Sequence, residues 1–388
     1  MEQSSSETIY LDHAATTPLD PRVVEAMLPF LTTHFGNPSS IYGLGRSARG
    51  AIDSARDEIA AVLGARSSEV VFTSGGTESD NLAIKGAVQA QRAEGAHVIT
   101  AATEHHAVLH TCEALEALGV ETTVLPVDRR GIIDPDDVAR AIRPTTTLIS
   151  IMYGNNEIGT VQPIAAIAAV ARARGVTMHT DAVQAGGALP LDVDALGVDL
   201  LSLSGHKFYG PKGVGVLYVR RGTPLTPQQP GGGQERGRRS GTENTAGVVG
   251  MAAALTLASL SLDSSVAHAA RLRDRLRDEI IAAIPDTVVN GHPTQRLPNN
   301  LNLSFRGVDG ESLLLNLDMH GIAASSGSAC TAGSLDPSHV LTAIGLDRPT
   351  AQGSLRLSVG RATTDTQIDR VLGILPATVS KLRQLVEV

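Results

Sequence analysis

The chain has 388 residues, 42% of them hydrophobic, a formal charge of −8 and two cysteines. This describes a globular chain of two domains, or one large α/β domain with an appendage. The acidic balance argues against nucleic-acid and membrane-surface partners. The polar start MEQSSSETIY lacks the pattern of a signal peptide, and two cysteines cannot build a disulfide framework. The expectation is a reduced, cytoplasmic protein with no membrane span.

In chain order, Asp20-Pro21 reads as an N-cap followed by proline at the first helical position. It opens a helix over 22–31, and an amphipathic helix follows over 47–63. Short β-branched runs then alternate with helical patterns. The predicted strands are 69–73, 97–100, 121–125, 147–152, 176–179, 200–203 and 214–219. The predicted helices between them are 77–91, 107–118, 135–142 and 164–174. That alternation predicts a mostly parallel seven-stranded sheet with helices on both faces. The stretch 224–241, rich in Pro, Gly and Arg, reads as a long exposed loop. Beyond Asn244 come helices to 260 and over 264–283. Strands at 299–305 and 354–359 then mix with helices at 310–319 and 364–385, a smaller α+β region. The expected division is a large domain over 16–260, with 1–15 and 261–388 forming the small one.

Three stretches carry chemistry, each directly after a predicted strand. Thr73-Ser74-Gly75-Gly76-Thr77-Glu78-Ser79 opens a helix, where free N–H groups and the dipole favour an anion. Its bland alternative is an ordinary turn capped by Thr77, with Asp80 completing a capping-box-like pair. Met178-His179-Thr180-Asp181 ends a buried strand on a carboxylate, in the place where ligands bind in open α/β sheets. Asp181 could equally be the next helix's N-cap. Ser204-Gly205-His206-Lys207 offers a lysine in a glycine-rich turn, in a chain whose only other lysines are Lys85, Lys212 and Lys381. Alone it reads as a solvated lysine; partly deprotonated, it could form a Schiff base. Jointly the three supply what pyridoxal phosphate needs: a phosphate cup, a carboxylate for the ring nitrogen and a lysine for the aldehyde.

Arg356, inside the alternating strand Ser354-Leu355-Arg356-Leu357-Ser358, is costly to bury without an anion. A bidentate bond to a substrate α-carboxylate is preferred here over an internal ion pair, and Arg361 reads as structural. The cysteines separate cleanly. Cys112 shares a helical stripe with Val108 and Leu115 and reads as core. Cys330 lies among small residues, Ser325-Ser326-Gly327-Ser328-Ala329-Cys330-Thr331-Ala332-Gly333-Ser334, with no stripe to join. A reactive thiol is the better reading.

These stretches resemble the cysteine desulfurases, fold-type I pyridoxal-phosphate enzymes of the class V aminotransferase group. The likeness also covers Tyr10-Leu11-Asp12-His13-Ala14-Ala15-Thr16-Thr17, Gly36-Asn37-Pro38-Ser39-Ser40, Thr103-Glu104-His105-His106, Asn155-Asn156-Glu157-Ile158-Gly159, Arg239-Ser240-Gly241-Thr242 and Gly360-Arg361. It implies Lys207 as the cofactor lysine, Asp181 as the ring-nitrogen partner, and His105 stacked on the ring and shuttling protons. Gln184 and Asn156 would bond the ring hydroxyl and the substrate side. Gly76, Thr77, Ser204 and His206 would hold the phosphate, and Thr242 would reach the other subunit's phosphate, implying a homodimer. Arg356 would bind the carboxylate of L-cysteine. His106 stands where a lysine is associated with the family, and its side chain is expected to be peripheral.

The resemblance further implies Cys330 as the nucleophile, on a loop of about 323–336 like that of the group with a long catalytic loop. It would leave alanine and carry a persulfide to a sulfur-acceptor protein such as an iron–sulfur scaffold. Cys330 could also transiently ligate a nascent cluster. The chain ends soon after its last helix, so an acceptor other than one docking on a C-terminal extension is expected. Two alternatives stay open at this point: a selenocysteine or cysteine-sulfinate lyase, and a non-catalytic sulfur-relay scaffold that retains the fold.

Overall fold

The computed structural model describes residues 8–91, 95–326 and 337–386. Its strands in chain order are β1 (Ile9–Tyr10), β2 (Val70–Thr73), β3 (His97–Ala101), β4 (Glu121–Leu125), β5 (Thr146–Ser150) and β6 (Thr177–Asp181). They continue with β7 (Leu200–Ser204), β8 (Gly215–Val219), β9 (Thr287–Asn290), β10 (Asn300–Phe305), β11 (Ile322–Ala323) and β12 (Ser354–Ser358). Seven form one sheet in the order β2-β8-β7-β6-β5-β3-β4. Only β8 runs antiparallel to its neighbours. The expected fold-type I α/β architecture, with helices on both faces, is present.

Successive side chains of a strand point to opposite faces, and the packing follows that rule. Phe72, Ile99, Ile149, Leu201 and Val216 pack with Ile52, Ile59, Ile167, Met251 and Leu255 from the helices Gly43–Leu63, Ile164–Ala173 and Thr245–Leu260. Their strand neighbours Val71, Val98, Leu148, Leu200 and Leu217 pack with Leu82, Ile84, Val108 and Leu115 from the helices Gly76–Ala90 and His106–Glu116. Cys112 lies in this second layer, and burial pushes its thiol up to about 12. It is a core residue, as its stripe indicated.

A separate core joins β10 and β12 to the helices Leu262–Ala283, Gly310–Met319 and Asp365–Val386. Ile9 and Leu11 belong to it, through β1 pairing in parallel with β11. Among the described residues, no single helix is long and apolar enough to cross a membrane. Strand ends differ from expectation where polar residues stay in the ladder: β6 runs on to Asp181, which pairs with Ser202 of β7. The two-residue β1 and β11, and the five-residue helices His339–Ala343 and Arg348–Gln352, are too short to show a period.

The stretch 224–241 is not the wholly exposed loop expected. Glu235 is buried, and its carboxylate accepts from both terminal nitrogens of Arg56 (2.8 and 2.6 Å) and from the N–H of Phe72 (3.0 Å). Glu235 and Arg236 adopt left-handed φ values of 47° and 58°, a strain of about 1–3 kcal/mol each that the surroundings must hold. Arg239 to Glu78 and Arg49 to Glu243 fasten the same stretch further along. Truncating Glu235→Ala leaves Arg56 buried and uncompensated. Urea unfolding should show a loss of about 3–5 kcal/mol, and an unchanged midpoint would mean that the pair carries no stability.

Candidate active site

The C-terminal ends of β6 and β7 open on a cavity of about 350 Å³. Its wall includes Gly76, Thr77, His105, Asn156, Asp181, Gln184, Ser204, His206, Lys207 and Arg356. Sequence spacing places these residues far apart; the large sheet's crossovers return most of them to one rim, and Arg356 comes to it from β12 of the three-stranded sheet β12-β10-β9. Ala14 and Ala15 close the same wall from the N-terminal segment.

Lys207 follows β7 in a short 3-10 turn. Its Nζ donates to the carbonyls of Ala14 (2.6 Å) and Ala15 (2.8 Å). Gln184 Nε2 also donates to Ala14 (2.8 Å), and His206 Nδ1 lies 3.1 Å from the Thr16 hydroxyl. Asp181 is buried, with one carboxylate oxygen accepting the Val183 N–H at 2.8 Å. Burial raises its pKa to about 6, against the opposing pull of the Val183 N–H and of Lys207. His105 caps the helix His106–Glu116, its Nδ1 accepting the Ala107 N–H at 3.0 Å. Burial, with Lys207 next in size, lowers its pKa to about 4. The ring is therefore neutral near pH 7, and its proton sits on Nε2. His206 is held at about 4 by burial and then by Lys207 and Lys212.

The anion cradle lies at the start of the helix Gly76–Ala90. Gly75 has φ 151°, a backbone that favours glycine. A Cβ at Gly76 would lie 2.7 Å from Val183 Cγ2, so only glycine brings the N–H groups this close to the rim. No side chain caps the helix. Thr77 is exposed at its first turn, and Asp80 is not a cap but a buried residue on the cavity wall. The capping pair therefore does not form, which leaves the helical N–H groups available to an anion.

Arg356 departs from expectation, because an internal ion pair does exist. It is 2% exposed, with one terminal nitrogen donating to Asp12 (2.7 Å) and the other to the carbonyl of Asn156 (2.8 Å). Arg361 pairs with Asp20 at 3.0 Å and stacks on Tyr209, the structural role expected. His106 is not peripheral: it lines the cavity, with its ring centroid 4.7 Å from that of His339. Thr242 is exposed and does not line this cavity. Cys330 lies outside the described residues. Sequence reasoning missed Asp12, the two alanine carbonyls, Asp80 and His339. The alanines act through backbone atoms, which leave no trace in residue type.

The donor set fits pyridoxal phosphate: an anion cradle, a buried carboxylate and a lysine face one cavity. Comparison with known proteins agrees. The Aminotransferase class-V family model matches residues 9–371. A cysteine desulfurase IscS of Methanosarcina thermophila is 54% identical over 382 residues, covering 98% of this chain and 94% of its own. A solved NifS-like protein superposes with a TM-score of 0.89 at 36% identity, covering 98% of this chain and 99% of that one. A structure described as SspA in complex with cysteine gives 0.81 at 40% identity, over 92% and 100% of the two chains. Agreement over nearly every residue, with the same chemistry on one rim, makes the chain a member of the class-V aminotransferase family of fold-type I pyridoxal-phosphate enzymes, among its cysteine desulfurases.

Proposed function

We propose that this chain takes sulfur from L-cysteine, releases L-alanine and leaves a persulfide on Cys330. The observation that carries the reading is that Lys207, Asp181 and Arg356 share one cavity wall. Gly76, Thr77, Ser204 and His206 would hold the phosphate, and Gln184 and Asn156 would reach the ring and substrate sides. Bound pyridoxal phosphate supplies an electron-withdrawing ring conjugated to the substrate's α-carbon. Asp181, as carboxylate, would pair with the ring nitrogen and favour its protonated form. Arg356 binds the α-carboxylate through charge-assisted bonds. Lys207 would move the proton at the substrate's α-carbon, with His105 at the same wall. The Cys330 thiolate attacks the substrate sulfur: an S–S bond forms, the C–S bond breaks, and its electron pair passes to the substrate carbon. Protonation there gives alanine.

The persulfide then passes to an acceptor protein, such as a scaffold for iron–sulfur assembly or a component of thiolation. A homodimer completes the site, with Thr242 of each chain reaching the other's phosphate. Support comes from apolar side chains left exposed along one stretch, among them Leu28, Leu31, Phe35, Ile41 and Tyr42. A run of this kind commonly marks an interface. Segment 234–243 is also riveted to its own chain by the pairs of Arg56, Arg239 and Arg49, which suits a residue presented outward.

Alanine release from cysteine is the direct test. Cys330→Ser should keep the cofactor absorbance and lose alanine production, while Cys112→Ala keeps both. Equal rates in wild type and Cys330→Ser would instead indicate a lyase that needs no persulfide. Arg356→Ala should weaken cysteine binding by roughly 1.5–3 kcal/mol, read as a raised KM, and should leave cysteamine, which has no carboxylate, unaffected.

Asp181 sets a pH limit on cofactor binding. Its raised pKa of about 6 means that the carboxylate needed by the ring nitrogen is present above that value and is lost below it. Titration of the apoprotein should therefore show affinity for pyridoxal phosphate falling as pH drops through about 6. Asp181→Asn should flatten that dependence.

A further inference from the structure

Asp181 is not the only carboxyl group at the bottom of the site. Asp80 and Glu104 are 1% and 0% exposed, and neither has a part in the chemistry above. One oxygen of each, Asp80 Oδ1 and Glu104 Oε2, has no hydrogen-bond partner, and the buried hydroxyl of Thr103 next to Glu104 has none either. Glu104 Oε1 accepts the N–H of Met152 at 2.8 Å. Asp80 lines the cavity itself.

Among the described residues, neither group is paired with a lysine or arginine. The basic side chain nearest Asp80 is His179, with Nε2 at 3.6 Å from Oδ1. The two ring nitrogens of His179 are engaged with the hydroxyls of Ser150 (2.8 Å) and Ser202 (3.0 Å). Burial holds that ring near 3, so it is neutral at working pH. Lys207 acts on Asp181, and Asp181 acts in turn on both Asp80 and Glu104. Three carboxylates out of water around one lysine cannot all stay ionised, because each uncompensated charge costs several kcal/mol. Burial, with Asp181 adding to it, pushes both Asp80 and Glu104 well above the usual carboxylate range.

We propose that Asp80 and Glu104 are positioning residues that stay as neutral carboxylic acids in the working protein, leaving Asp181 as the one charged member of these three. The ring nitrogen then meets a single, located negative charge rather than one spread over three groups. This rests on the reading of Asp181 as the ring-nitrogen partner.

Infrared difference spectra of the holoenzyme near pH 7 test the protonation directly. Wild type minus Asp80→Asn, and wild type minus Glu104→Gln, should each show a lost carboxylic-acid C=O stretch that shifts in D2O. Loss of carboxylate bands in its place would overturn the proposal. Turnover tests the positioning role. Asp80→Asn, a neutral isostere, should outperform Asp80→Ala by about tenfold, the worth of one buried polar contact. It should also keep the wild-type pH profile of kcat. Equal activities of the two variants, or a moved profile in Asp80→Asn, would count against that role. Asp181→Ala separates the two readings: turnover unaffected by it would remove Asp181's assignment, whereas the infrared bands report on Asp80 and Glu104 alone.

Discussion

Both cations of the site, Lys207 and Arg356, are held by the same few residues of chain, and the rest of the arrangement hangs on that contact. The carbonyls of Ala14 and Ala15 receive the lysine, and the carboxylate of Asp12 receives the arginine. On one side this segment is rooted by Ile9 and Leu11 in the core of β10 and β12. On the other, Thr16 and Thr17 bond the turn that carries Lys207. Ala14 N–H donates to Ser358 at the end of β12, close to Arg356 in the chain. The segment is thus laid across the join between the two cores. Any shift of one core against the other must move the lysine relative to the arginine.

This has an energetic consequence. In the resting protein the buried Arg356 is paired with a carboxylate and the half-buried Lys207 is hydrogen-bonded to two carbonyls. On the proposed reading, ligands would bind by exchange: Arg356 would share or give up its bonds to Asp12 and Asn156, and Lys207 would leave the two alanine carbonyls. The affinity of each is a difference between two good interactions, which favours release as well as capture. The two imidazoles nearest the lysine, His105 and His206, are neutral through burial. They add no positive charge that would compete for Asp181, the proposed partner of the ring nitrogen.

Much of this was legible in the sequence where side-chain type and period carry the signal. The seven strands, the Gly75-Gly76 cradle, Asp181, Lys207 and the core assignment of Cys112 all follow from apolar alternation and from what stands at strand ends. What escaped was of two kinds. Backbone acceptors such as Ala14 and Ala15 have no residue signature, and ion pairs between distant segments cannot be read from spacing. Asp12 and Arg356 are 344 positions apart, and so the ion pair seemed the weaker reading. The same limit hid Glu235, whose composition suggested an exposed loop until Arg56, 179 positions away, drew it inside.

Arg356 is also bonded through its own backbone to the stretch that precedes Cys330. Its N–H donates to the carbonyl of Ser325 at 2.6 Å, and the Ser325 N–H donates back at 3.3 Å. The arginine proposed to bind the substrate carboxylate is therefore bonded to Ser325, at the start of the stretch that leads to Cys330. Cys330 lies five positions further along the chain, a reach of roughly 17 Å at most. On the proposed reading, sulfur taken by Cys330 could be carried no further than about that distance from Ser325. A proposed acceptor would then have to bring its receiving group within that distance. A thiol packed like Cys112, pushed up to about 12 by burial, could meet neither end of that requirement.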